Sequence, residues 1–88
     1  MIKVGDVIKE RGDSELLSII TRIDNNGSLI EVHIIAEDGK VCVITYLDED
    51  TMQENIGSKI VSENTNGTDW LSRMVNVFAK GERTLQTI

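Results

Sequence analysis

Residues 16–47 read LLSIITRIDNNGSLIEVHIIAEDGKVCVITYL, and this stretch decides the fold. Three runs rich in Ile, Val and Thr, at 16–23, 29–36 and 41–47, are separated by two breaks, Asp24-Asn25-Asn26-Gly27-Ser28 and Glu37-Asp38-Gly39-Lys40. Branched side chains suit the pleated surface of a strand. Asn-Gly and Asp-Gly are preferred pairs for two-residue hairpin turns, in which both central residues need positive φ. With Asn26-Gly27 as such a loop, Ile23 faces Ile30, Thr21 faces Val32, Ile19 faces Ile34 and Leu17 faces Ala36. With Asp38-Gly39 as the second, Ala36 faces Val41, Ile34 faces Val43, Val32 faces Thr45 and Ile30 faces Leu47. Both registers gather Ile30, Val32, Ile34 and Ala36 on one face, and a one-residue slip would undo this. The expectation is a three-stranded antiparallel meander. A helix begun at Ser14-Glu15, with Leu16, Leu17, Ile20 and Ile23 at helical spacing, is the rival reading. The Ile-Ile-Thr run and the Asn-Gly after it favour the strand.

Outward from this centre, residues 3–10 look like a strand entered through a turn. Residues 48–55 are acidic and read as a loop or one helical turn, 58–62 as a short edge strand and 64–67 as a turn. Thr68 or Asp69 can cap a helix over about 68–80. Trp70, Leu71, Met74, Val75, Val77 and Phe78 form its apolar stripe, while Ser72, Arg73, Asn76 and Lys80 face away. Gly81 is a natural stop, and the tail 82–88 is either frayed or a last strand. The expected fold is a single α+β domain spanning 1–88. It is an antiparallel meander of four or five strands with one C-terminal amphipathic helix packed on the sheet. If the first and fifth strands curl round, the sheet becomes a small, partly open barrel. The expected core sets the helix stripe against Leu17, Ile19, Ile23, Ile30, Val32, Ile34, Val43 and Leu47.

Composition narrows the function classes. The chain has 88 residues, 15 acidic and 9 basic, for a net charge of −6. Its 40% hydrophobic and 27% charged content fits a globular domain rather than a disordered one. No apolar run approaches the ~20 residues of a membrane span, and Met1-Ile2-Lys3-Val4-Gly5-Asp6 lacks the apolar core of a secretory signal. Cys42 is the only cysteine, which excludes an intramolecular disulfide and a cysteine-based zinc site and points to the cytoplasm. Asn26-Gly27-Ser28 and Asn66-Gly67-Thr68 match the glycosylation sequon and read as turns. The acidic balance disfavours a duplex-DNA binder.

The same registers define an opposite face bearing Ile20, Arg22, Leu29, Glu31, His33, Ile35, Cys42, Ile44 and Tyr46. It is about half apolar, more than a solvated sheet face should be. The chain itself, a second copy or a separate partner would have to cover it. Its candidate partner-binding residues are Ile20, Arg22, Glu31, His33, Ile35, Ile44 and Tyr46, with Arg22 placed across from Glu31 as an ion pair. His33, Cys42 and Glu31 supply the residue types of nucleophilic catalysis, but a flat sheet offers no oxyanion donors. Glu37, Asp38, Asp48, Glu49, Asp50 and Glu54 form acidic loops whose spacing does not match a calcium loop. No glycine-rich phosphate loop occurs. The expectation is therefore a non-enzymatic protein with no catalytic, cofactor or metal residue. It would bind a larger, basic protein partner and regulate or inhibit it, as proteins of phages and mobile elements do, with homodimerisation as a further use of the face. The alternative is a small barrel binding RNA or single-stranded DNA. There Lys3, Lys9, Arg11, Lys59, Arg73, Lys80 and Arg83 would gather on one edge, and Tyr46 and His33 would stack on bases.

Overall fold

A computed structural model describes residues 2–9, 16–65, 69–76 and 78. Expectations for the Gly81 stop, the tail, Thr68 and the second half of the 64–67 turn lie outside these residues. The chain is α+β. Strands β1 (Val7–Ile8), β2 (Ser18–Asn25), β3 (Ile30–Ala36), β4 (Val41–Tyr46) and β5 (Ile60–Ser62) form one open antiparallel sheet in the order β4-β3-β2-β1-β5. Among the described residues two helices accompany it: α1 (Glu49–Gly57), and α2, helical over 70–76 and at 78. The strand reading of residues 18–23 therefore holds against the helical one, and 60–62 form the expected short edge strand.

The hairpins form where expected, but neither closes on the pair of residues expected. Only glycines have positive φ among the described residues, so Asn26 and Asp38 do not take the conformation that such a turn demands. At the first break Asn25 pairs with Ile30, and the Asn26 N–H donates to the Leu29 carbonyl at 3.3 Å, so the four-residue loop 26–29 turns about Gly27-Ser28 rather than Asn26-Gly27. At the second, the Ala36 N–H donates to the Lys40 carbonyl at 2.8 Å and the Gly39 N–H to the Ala36 carbonyl at 2.8 Å. That is a three-residue loop with Gly39 at φ +90°, the usual place for a left-handed residue beside a hairpin bulge. The extra residue shifts β4 by one position. Val32 now faces Ile44, Ile34 faces Cys42 and Ile30 faces Tyr46.

A second irregularity lies at Thr21, where β2 bulges between Ile20↔Ile34 and Arg22↔His33. The unpaired Thr21 donates its hydroxyl to the His33 carbonyl at 3.2 Å. An inserted residue reverses which side chains face which way. Ile20 thus joins Val32 and Ile34, while Ile19 passes to the other side beside Val7 and Ile35.

The first face carries the main core: Ile2, Ile8, Ile20, Ile30, Val32, Ile34 and Tyr46 close against Met52 and Ile56 of α1. The segment expected to be a loop or single turn is thus a nine-residue helix, and α1 rather than the C-terminal helix supplies this core. Asp48 caps it, accepting from the Thr51 N–H at 2.7 Å. Glu49 and Asp50 stand at the positive end of its dipole. Met52 and Ile56, four apart, share the buried face. Tyr46 donates its hydroxyl to the Asn55 side chain and ties β4 to α1. Of the expected core, Ile30, Val32 and Ile34 are buried here and Ile23 packs beside them. Val43 and Leu47 are instead exposed, by 46% and 80%, because the register shift turns them outward.

The N-terminal turn is a lock. Asp6 is fully buried and accepts from the Lys3 N–H at 2.9 Å and the Asn64 N–H at 2.7 Å. The Asn64 amide donates in turn to the Val4 carbonyl at 3.0 Å. Arg73 of α2 reaches the same turn: its Nε donates to the Gly5 carbonyl at 2.9 Å, and its Nη2 to the Glu63 carbonyl at 2.7 Å and the Ser62 hydroxyl. Arg73, placed by helical periodicity on the outward side, is a half-buried strut between α2 and the sheet.

Candidate functional site

The second face divides into three parts. Near β1, Val7 and Ile19 are fully buried. Beside them, Ile35, Ala36, Glu37 and Gly39 line a cleft together with Met74, Val75 and Phe78 of α2. Asp69 caps α2 as expected, its carboxylate accepting from the Ser72 N–H at 2.9 Å. Leu71 and Val75 of the expected stripe remain more than half exposed.

The second part is the β4 rim. Alternation along β4 puts Val41, Val43 and Thr45 on this face, and Leu47 continues the row. Val41 is 68% exposed. Among the described residues β4 is also an edge strand, with one side unpaired. Acidic residues stand at both ends of the row. At one end are Glu37 and Asp38, at the other Asp48, Glu49 and Asp50, with Glu54 further along α1. Several of these carboxylates have local work. Glu37 accepts from the Leu17 N–H at 2.9 Å, and Asp38 from the Lys40 N–H at 3.0 Å. Hydrogen bonds from the Thr51 backbone and hydroxyl hold the Asp48 carboxyl below its ordinary value of 3.8.

The third part lies at the open end of the β2–β3 hairpin. The four-residue loop offsets β2 by two positions, so Asp24 rather than Arg22 stands across from Glu31. The expected Arg22–Glu31 pair is replaced by Arg22 Nε donating to Asp24 Oδ1 at 2.9 Å. His33 Nε2 lies 3.7 Å from Asp24 Oδ2 and 3.5 Å from Glu31 Oε1. That nitrogen is shielded from solvent and makes no hydrogen bond. The three donor atoms lie within 4.8 Å of one another.

The seven residues expected on one partner-binding face are therefore split. Arg22, Glu31, His33 and Ile35 are on the second face; Ile20, Ile44 and Tyr46 are on the first, in or against the core. Cys42 is also on the first face, so His33 and Cys42 point to opposite sides and the Cys-His-Glu grouping dissolves. Val41, Val43, Leu47 and Asp24 are the surface residues that the expected turns concealed. Of the expected basic edge, Lys9 and Lys59 are neighbours at the β1–β5 seam, the Lys9 N–H donating to the Lys59 carbonyl at 3.0 Å; Arg73 is engaged by three oxygen partners, and Arg11, Lys80 and Arg83 lie outside the described residues. Among the described residues no helix is long and apolar enough to cross a membrane. Compared with protein-family models, curated proteins and solved structures, the chain matches none.

Proposed function

We propose that the chain is a non-enzymatic binding module that docks a basic protein partner on the β4 rim of its second face. One observation carries the reading: an exposed row of Val41, Val43 and Leu47 on an edge strand, bracketed by carboxylates at both ends. Exposed edges with apolar side chains are a liability that folded proteins usually blunt with charge, proline or a bulge. The chain has no proline, and within β4 itself no residue is charged. Such an edge suits an added strand, whose main chain pairs with β4 while alternate side chains cover the row. The carboxylates at the ends select a basic strand and raise its association rate.

In this reading Met74, Val75 and Phe78 of α2, which line a cleft with Ile35, cover that part of the second face and leave the β4 rim open. The lone exposed Cys42 fits a reducing cytoplasm. Regulation or inhibition of the partner follows if the bound strand belongs to its working surface. Affinity capture from cell lysate at low and high salt, with wild type and Val43→Asp, tests the reading. A protein captured by wild type, lost in Val43→Asp and released by salt supports it. Capture of nucleic acid favours the small-barrel alternative, and self-association alone favours a homodimer.

A further inference from the structure

We propose that Asp24, Glu31 and His33 form a binding site for a divalent first-row transition ion of the zinc type. The inference is independent of the partner surface. Two carboxylates stand directly across the β2–β3 ladder, an arrangement that is destabilising unless a positive charge relieves it. Arg22 relieves Asp24 alone, through Oδ1, and leaves Oδ2 turned to His33. Among the described residues no Lys or Arg pairs with Glu31. Between the carboxylates sits the chain's only imidazole, its Nε2 shielded from solvent and without a hydrogen bond.

Two of the three donor separations match those around a shared ion. His33 Nε2 stands 3.5 and 3.7 Å from the two carboxylate oxygens and makes no hydrogen bond to either. Zinc holds nitrogen and oxygen ligands at about 2.1 Å, so two ligands at tetrahedral positions sit ~3.4 Å apart. The donor set also selects the ion class. Calcium and magnesium take oxygen ligands, whereas imidazole with carboxylates suits zinc and its first-row neighbours. Three protein donors leave the fourth position to water or to a ligand from outside. Arg22, by holding Asp24 Oδ1, orients the carboxylate as outer partners of metal ligands do.

The test is a calorimetric titration of the full chain with Zn²⁺, using Cys42→Ser to remove the exposed thiol as a competing ligand. That residue lies on the opposite face from the trio. Binding of one ion is expected, with His33→Gln and Glu31→Gln each weakening it at least about tenfold. Circular dichroism shows whether both variants stay folded. Absence of binding below about 1 mM, or affinity unchanged in both variants, overturns the proposal and marks an adventitious ion. If either variant unfolds, the His33 ring protons of the Cys42→Ser chain decide. A shift of those resonances on adding Zn²⁺ supports the site, and unmoved resonances remove it.

Discussion

Replacing Gly5 by alanine tests the lock that joins the N-terminal turn to the far end of the chain. Gly5 and Gly39 have nearly the same backbone, φ +95° and +90°. A side chain in this region costs about 1–2 kcal/mol at either position. Their surroundings differ. A Cβ on Gly39 meets nothing within 4 Å, whereas on Gly5 it falls 2.5 Å from Asn64 Nδ2 and 3.1 Å from Asn64 Cβ. Asn64 cannot swing away freely, because its backbone donates to buried Asp6 and its amide to the Val4 carbonyl. Losing the neutral bond costs about 0.5–1.5 kcal/mol, and disturbing the bond to the carboxylate costs more. Gly5→Ala should therefore lose about 3–5 kcal/mol and Gly39→Ala about 1–2 kcal/mol. Total stability for a chain of this length is about 4–13 kcal/mol. Urea denaturation of both variants measures the gap, and a difference of about 2 kcal/mol separates the midpoints by roughly 1–2 M. Equal losses would refute the close packing of Asn64 on the turn.

Three further outcomes follow from the geometry. Ile44→Asp should cost about 2–4 kcal/mol, because Ile44 packs on the core. Val43→Asp should stay within about 1 kcal/mol, because that side chain faces solvent; denaturant titration giving the reverse order would restore the two-residue turn. Asp6→Ala removes the buried acceptor shared by the Lys3 and Asn64 N–H groups and should cost about 2–5 kcal/mol by the same assay. The lowered pKa of Asp48 sets a pH dependence: its stabilising contribution is complete above the unfolded value of 3.8 and fades as pH falls through the lower folded value. Asp48→Asn keeps a capping side chain without the charge. Its thermal midpoint should fall less than that of wild type between pH 5 and pH 3, and parallel falls would contradict the cap.

The strand content of 18–46, the two hairpins, the short edge strand and the capping aspartate of α2 were legible in the order of residue types. The faces were not. Asn-Gly and Asp-Gly each serve two-, three- and four-residue loops. The choice turns on whether Asn26 and Asp38 adopt positive φ, which depends on tertiary packing. One extra loop residue moved Ile44 and Tyr46 inward and Val43 and Leu47 outward. The bulge at Thr21 left no local mark beyond a hydroxyl able to reach a carbonyl. α1 shows only two buried apolar residues, Met52 and Ile56, though Asp48 followed by Glu49 and Asp50 is a start signal that the acidic run disguised. Arg73 lies 68 residues from Gly5, so no local pattern reports their bond. The trio likewise depends on register: Asp24 joins Glu31 and His33 only once the first loop is four residues long.

The most direct test of the β4 docking surface is a photo-cross-linking amino acid placed at Val43, with Val61 as control. Val61 is exposed on the opposite edge strand, β5. In living cells the account predicts an adduct of defined mass with one basic protein from position 43 and none from position 61. Adding Glu49→Gln and Asp50→Asn should weaken that adduct. An adduct at 43 that contains only a second copy of the chain, or equal capture at 43 and 61, would contradict it.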